Sequence, residues 1–179
     1  MKIFIAGSSH DDIPKKYIKL ADTISELLST NNNTLILGGI PSTIPNNSMM
    51  GKYNNNFNNK KFITVTKYAD TLDDNESQNS IVLESTMDRT KTIYKEADLI
   101  LFLPGGIGTL AEIASCLEEV RTYKTTKKIL LYNYEGFFDD IINWLDNGIK
   151  NNFINKSDIE KYIVINNKEE LIKEMEILI

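Results

Sequence analysis

The chain has 179 residues, 41% of them hydrophobic, which is enough for one packed core but short for a multidomain protein. Its 20 basic and 25 acidic side chains give a formal net charge of -5, so we expect no nucleic-acid partner. No apolar stretch reaches the roughly 20 residues that span a bilayer, so we expect no membrane segment.

Cysteine and histidine each occur once, as Cys116 and His10. A single cysteine forms no intramolecular disulfide, and the pair is too small for a zinc site rich in Cys and His. The first ten residues lack the apolar length and cleavage site of a signal peptide. These features predict a cytoplasmic protein.

Short apolar runs alternate with helical patterns along the chain. Runs of strand length lie at 2–6, 34–38, 61–66, 98–103, 128–132 and 162–165, and apolar residues recur at helical spacing over 17–28 and 138–149. This alternation predicts a Rossmann-like, doubly wound α/β fold with a mostly parallel sheet of about six or seven strands. We expect residues 1–179 to form a single nucleotide-binding domain.

Three further segments complete the prediction. Residues 81–96 are predicted as a helix, whereas 40–60, rich in proline and asparagine, are predicted as a loop with at most a short helix. Asn167 is expected to cap a last helix that turns four apolar side chains inward: Leu171, Ile172, Met175 and Leu178.

Three loops of small residues follow strands one, two and four of this prediction. They are Gly7-Ser8-Ser9, Gly38-Gly39 and Pro104-Gly105-Gly106-Ile107-Gly108-Thr109. Ligands of parallel sheets bind beyond the carboxyl ends of the strands, where helix N-termini attract anions. The sequence lacks the Lys-Ser/Thr ending of a Walker P-loop, and it also lacks the dinucleotide-binding pattern G-x-G-x-x-G after the first strand. A nucleoside monophosphate or sugar phosphate is therefore the predicted ligand.

Two charged residues are candidates for chemistry beside this loop. Glu112 lies three residues after Thr109, on the same helix face, where a carboxylate suits an oxocarbenium-like transition state as nucleophile, general base or electrostatic partner. Arg89, on the preceding helix, suits a phosphate or a ribose hydroxyl. The alternatives are that Glu112 only complements the helix dipole and that Arg89 pairs with Glu84 or Asp88.

The segment Pro-Gly-Gly-Ile-Gly-Thr-Leu-Ala-Glu at 104–112 matches the motif P-G-G-x-G-T-x-x-E. With Met87-Asp88-Arg89 upstream and Asn133-Tyr134-Glu135-Gly136-Phe137-Phe138 downstream, the chain resembles the LOG (LONELY GUY) family. Its members are cytokinin riboside 5′-monophosphate phosphoribohydrolases, long mislabelled as lysine decarboxylases.

The resemblance implies that Arg89 and Glu112 form the catalytic pair. It also implies a substrate and phosphate site made by Gly7, Ser8, Gly38, Gly39, Gly105, Gly106, Gly108 and Thr109. A homodimer without a metal or other cofactor is implied as well. The expected reaction is cleavage of the N-glycosidic bond of AMP or N6-modified AMP to free base and ribose 5-phosphate.

Two other readings remain open. The N-terminal Ile3-Phe4-Ile5-Ala6-Gly7 and the Gly108–Glu112 segment are also similar to nucleoside 2-deoxyribosyltransferases, in which the glutamate is a covalent nucleophile. Chains of this kind also resemble molybdenum cofactor carriers and nucleotide sensors, which use the same loop without turnover. Outside the site, we expect Cys116 to be a buried core residue and Trp144 to pack its helix against the core.

Overall fold

A computed structural model describes residues 1–30, 32–123 and 127–176. Seven strands form one sheet, in the spatial order β4-β3-β2-β1-β5-β6-β7, and every pair is parallel. The strands are β1 (Lys2–Ala6), β2 (Thr34–Leu37), β3 (Asn59–Val65), β4 (Ser80–Leu83), β5 (Leu99–Phe102), β6 (Lys128–Tyr132) and β7 (Tyr162–Ile165). The predicted doubly wound α/β fold is thereby confirmed.

Helices cover both faces of the sheet because side chains alternate along each buried strand. On β1, Ile3 and Ile5 contribute to one core cluster, whereas Phe4 and Ala6 contribute to the other. The described helices are α1 (Lys15–Leu28), α2 (Met49–Asn56), α3 (Asp74–Gln78), α4 (Thr86–Glu96), α5 (Ile107–Tyr123), α6 (Asp139–Lys150) and α7 (Lys168–Glu176).

The helix predicted over 81–96 is wrong in its first part. Residues Ser80–Leu83 form the edge strand β4, and Ile63 of β3 pairs with Ile81. The helix starts only after Ser85, whose hydroxyl accepts the Asp88 N–H at 3.0 Å and so caps α4. A short apolar run beside a helical pattern fits either element, and pairing with β3 decides it.

The structure agrees with the predictions for residues 40–60 and for the cap of the last helix. Between β2 and β3 the chain makes a 3-10 turn at Pro41–Thr43 and the eight-residue α2, in agreement with a loop holding at most a short helix. The Asn167 side chain accepts the Glu170 N–H at 2.9 Å at the start of α7, and Leu171 is buried. Leu178 lies outside the described residues.

The order of the strands fixes where a ligand can bind. The chain moves outward from β1 through β2 and β3 to β4, returns to β5 on the other side of β1, and then moves outward through β6 to β7. Ala6 pairs with Phe102, so β1 and β5 end side by side. Their following loops diverge to opposite faces, and this reversal of direction creates the crevice in which open parallel sheets bind ligands.

Candidate active site

A cavity of about 520 Å³ lies at this reversal point, over the carboxyl ends of β1, β2 and β5. Eight of the predicted site residues line it together: Gly7, Ser8, Gly38, Arg89, Gly106, Gly108, Thr109 and Glu112. The sequence places these residues in four separate segments, and the sheet topology brings them to one crevice.

The glycine-rich loop after β5 leads directly into α5. The first turn of this helix, which lines the cavity, contains Ile107, Gly108 and Thr109. The N–H groups of these residues have no hydrogen-bond acceptor within the helix. Unpaired N–H groups and the positive end of the helix dipole make this an anion site. A Cβ at Gly105 would overlap the Oγ1 of Thr109, so glycine is required for the loop to fold this tightly.

Glu112 is the one acidic side chain among the described residues that line the cavity. It lies on α5 one turn after Gly108, with 8% of its surface exposed. A Cβ at Gly38 would lie 3.6 Å from its Oε1, 3.3 Å from Ile93 and 3.5 Å from Phe4, so the carboxylate sits over the end of β2 among apolar side chains.

Arg89 supplies the opposite charge from the second turn of α4. Its Nη2 lies 3.4 Å from the Oε1 of Glu112, and the two side chains are 19% and 11% exposed. This distance exceeds that of a strong charge-assisted hydrogen bond, and the Nε of Arg89 has no partner within the described chain. Both groups therefore keep bonding capacity for a ligand, and the alternative pairing of Arg89 with Glu84 or Asp88 is not observed.

Burial controls the protonation of Glu112. Desolvation raises the pKa of this carboxyl to about 7, and the nearby Arg89 guanidinium opposes the shift without cancelling it. A carboxyl with such a pKa exchanges protons readily at neutral pH, which is the property of a general acid or base.

Helix α2 forms a further part of the wall, and no motif in the sequence indicated this role. Met50 lines the cavity, and its N–H donates to the Ser8 carbonyl at 3.2 Å, which ties α2 to the loop after β1. The Pro45 carbonyl lies so close to Gly51 that a Cβ on residue 51 would overlap the carbonyl oxygen. His10 and Ile107 also line the cavity. Proximity of α2 to β1 is a tertiary contact, and no local pattern predicts it.

Two of the predicted site residues lie behind the cavity wall. Gly39 packs near Ile44 and Met50, and Gly105 packs against Thr109 and Gly7. Neither lines the cavity. The lack of a side chain at Gly105 permits close packing of its loop, whereas a Cβ at Gly39 would make only ordinary van der Waals contacts.

A family model described as "Possible lysine decarboxylase" matches residues 33–175 of the chain. This range covers most of the sequence and includes Arg89, the glycine-rich loop and Glu112. The chain belongs to this family, the LOG family. Gly7 and Ser8 precede the matched range, yet the structure brings them to the same cavity.

Curated LOG-family relatives match about half of the chain. A cytokinin riboside 5′-monophosphate phosphoribohydrolase of Mycobacterium marinum is 26% identical over 102 residues, covering 57% of this chain and 54% of the relative. An Arabidopsis thaliana enzyme of the same name is 29% identical over 83 residues, covering 46% of this chain and 39% of the relative. The chain therefore spans about half the length of these relatives.

Among solved structures, the Moco carrier protein of Chlamydomonas reinhardtii is similar over the whole fold. It superposes with a TM-score of 0.66 at 17% identity, covering 99% of this chain and 96% of the carrier. Identity at this level shows a shared fold, and the fold is used by proteins of different function.

Other expectations for this LOG-family chain have mixed outcomes. Cys116 is buried as predicted, and burial raises the pKa of its thiol. Trp144 was expected to pack on the core, but 66% of it is exposed on the outer face of α6. Within the described ranges no helix could cross a membrane, and no three His, Cys, Asp or Glu side chains converge as metal ligands.

Proposed function

We propose that the chain is a phosphoribohydrolase that cleaves the N-glycosidic bond of a nucleoside 5′-monophosphate, AMP or N6-modified AMP. The single observation that carries this proposal is the Arg89 and Glu112 pair, 3.4 Å apart, in the same cavity as a glycine-rich helix N-terminus. An anion site and an acid–base group at one crevice match the two ends of a ribose 5-phosphate unit.

The 5′-phosphate is assigned to the start of α5. The N–H groups of Ile107, Gly108 and Thr109 and the Thr109 hydroxyl are donors at the positive end of the helix dipole. The Gly7-Ser8 loop lies across the crevice and adds further small polar groups. A phosphate held here leaves the ribose to extend toward Glu112, one turn along the helix.

Glu112 is assigned as general base. As the C1′–N bond breaks, its electron pair leaves with the base, and positive charge develops at C1′ and the ring oxygen. The Glu112 carboxylate stabilises this charge and accepts a proton from the attacking water, which forms the new C1′–O bond. The proton then passes to the departing base or to solvent, so that nucleotide and water give free base and ribose 5-phosphate.

Arg89 is assigned two tasks in this scheme. Its guanidinium holds the pKa of Glu112 below the value that burial alone would produce, which keeps part of the population ionised at neutral pH. Its unpartnered Nε and its loosely engaged Nη2 are donors for ribose hydroxyls.

The description of the family as a possible lysine decarboxylase suggests decarboxylation, but the cavity does not support that chemistry. Amino-acid decarboxylation with a pyridoxal cofactor needs a lysine for the Schiff base. The described residues that line the cavity include no lysine. Glycosidic cleavage is therefore the better match to the side chains present.

A homodimer, in the cytoplasm, is part of the same proposal. The outer face of α5 carries Leu110, 46% exposed, and the exposed Ala114 one turn later. Met87, Trp144 and Phe153 flank this face and are 77%, 66% and 88% exposed. We call these five residues the α5 face. An apolar surface of this kind marks a protein interface, and a second copy of the chain is the proposed occupant.

Chromatographic detection of free base tests the proposed function. The purified protein is incubated with AMP, N6-isopentenyl-AMP, GMP, CMP and UMP, and with adenosine as the control that lacks a phosphate. We expect base release from AMP or its N6-modified form, and at least tenfold less from adenosine because the helix N-terminus then has no anion to bind.

The matched control variant is Glu112→Gln, which keeps the shape of the side chain and removes the carboxylate that acts as general base. Binding of AMP without base release would show a carrier or sensor and would contradict the proposal. Transfer of ribose to a second base, with no hydrolysis in its absence, would instead show a transferase.

A further inference from the structure

Two buried polar atoms beside the cavity lack a hydrogen-bond partner in the described part of the chain: the Nε of Arg89 and the hydroxyl of Tyr53. Buried polar groups without a partner are uncommon, because the free energy of the lost hydrogen bonds to water is not recovered. The Arg89 atom belongs to the proposed ribose site. The Tyr53 hydroxyl has no place in the scheme above.

Tyr53 lies on α2 and is fully buried. Its hydroxyl occupies the space where a side chain of residue 7 would begin, so that a Cβ at Gly7 would overlap it. Gly7 itself lines the cavity. The tyrosine ring is thus directly behind the loop after β1, at the phosphate end of the crevice, where the Gly105 loop also packs against Gly7.

The same helix already holds this loop by another contact. The Met50 N–H, one turn before Tyr53 on α2, donates to the Ser8 carbonyl at 3.2 Å. The Tyr53 hydroxyl, which lies against Gly7, therefore faces the same loop that this hydrogen bond holds. Burial raises the pKa of this hydroxyl well above its ordinary value, so it stays protonated and able to donate.

We propose that Tyr53 is a positioning residue for the binding of a sugar phosphate. Its hydroxyl is unpaired in the empty site and donates a hydrogen bond to a backbone carbonyl of the Gly7-Ser8-Ser9 loop when a bound phosphate shifts that loop toward α2. The unpaired group destabilises the empty protein and favours the occupied one. This inference rests on the phosphate-binding part of the proposed function and not on its chemical step.

The test compares wild type with Tyr53→Phe, which removes only the hydroxyl. Calorimetric titration with ribose 5-phosphate measures affinity, and thermal unfolding measures the stability of the empty protein. We expect the variant to have a higher Tm, since it buries no unpaired group, and an affinity lower by about 3- to 10-fold, the effect of one lost neutral hydrogen bond. In turnover, KM for AMP should rise more than kcat falls.

Tyr162→Phe is the matched contrast for stability. The Tyr162 hydroxyl donates to the Ile113 carbonyl at 2.6 Å, so its removal should lower Tm, opposite to the effect at Tyr53. If Tyr53→Phe binds ribose 5-phosphate as tightly as wild type, the inference is overturned, whatever happens to Tm.

The outcome for Tyr53 is separate from that for the reaction. Failure of wild type to bind ribose 5-phosphate would overturn the inference together with the phosphate site. Binding of AMP that is weakened by Tyr53→Phe, in a protein that releases no base, would support the inference and overturn only the hydrolase.

Discussion

The Arg89 guanidinium and the Glu112 carboxylate come from two helices, α4 and α5, and meet 3.4 Å apart in one cavity. Both are largely buried, and within the described part of the chain neither has another hydrogen-bond or ion-pair partner. A buried pair with such loose geometry contributes little to stability, because the cost of desolvation is not repaid by close contact. The pair is better explained by a ligand that completes its hydrogen bonding.

The pH dependence of activity should report Glu112. If the carboxylate is the general base and its pKa is about 7, kcat should rise with pH to a plateau above pH 8. Below pH 6 it should fall about tenfold per pH unit. Steady-state rates on AMP between pH 5 and 9 measure this, and a flat profile would remove Glu112 from the proton transfer.

Arg89→Met provides the control for that interpretation. The guanidinium lowers the pKa of Glu112, so its loss should move this pKa above 7. Carbon NMR of the labelled glutamate carboxyl follows the titration directly and does not need residual activity. An unchanged or lowered pKa in the variant would show that the two groups do not interact as described.

Glu112→Gln should stabilise the protein at pH 8. The folded pKa of about 7 exceeds the ordinary 4.5, so the folded state binds more protons between these values and loses stability as pH rises through them. The full penalty above pH 7 is about 3 kcal/mol, and we expect the amide to recover about 1–3 kcal/mol of it. Urea unfolding of both proteins at pH 8 and at pH 4 measures the difference, which should vanish at pH 4. If the variant is less stable than wild type at pH 8, favourable contacts of the Glu112 carboxylate outweigh its cost of desolvation, and the prediction is wrong.

Gly105→Ala should damage the loop that leads into α5. The added Cβ would overlap Thr109 Oγ1 and Cβ and lie 3.2 Å from the backbone carbon of Gly7, so the loop would have to shift. We expect a loss of about 1–3 kcal/mol in the free energy of unfolding and weaker binding of ribose 5-phosphate. Gly106→Ala is the control for folding, since nothing lies within 4 Å of its Cβ, and it should unfold as wild type does. Equal stability of the two variants would contradict this account of the loop.

Trp144→Glu should convert a dimer into a monomer. Trp144 is part of the α5 face and does not line the cavity, so a charge there opposes association without entering the site. Light scattering coupled to gel filtration gives the mass of each form. Tyr68→Glu, at an aromatic residue that is 41% exposed on the 3-10 turn Thr66–Thr71 and is not part of the α5 face, is the matched control and should leave the dimer intact. A wild-type monomer would refute the proposed interface.

The sequence allowed prediction of those features that local patterns encode. The buried strands, the glycine-rich loop and the placement of Glu112 one turn into its helix all follow from periodicity and turn chemistry. The edge strand β4 did not, because Ile81 to Leu83 are a strand only by pairing with β3. The contact of Tyr53 with Gly7 and the exposure of Trp144 are tertiary in the same sense, since each depends on how a helix packs against distant residues.

The most direct test of the central claim is a single comparison of wild type with Glu112→Gln on AMP in water enriched in oxygen-18. Adenine is quantified by chromatography and ribose 5-phosphate by mass spectrometry. We expect equal amounts of the two products from wild type, with the heavy oxygen in the sugar phosphate, and a rate at least about 100-fold lower for the variant. No free base from wild type on AMP or on its N6-modified form, or equal release by both proteins, would contradict the proposed function.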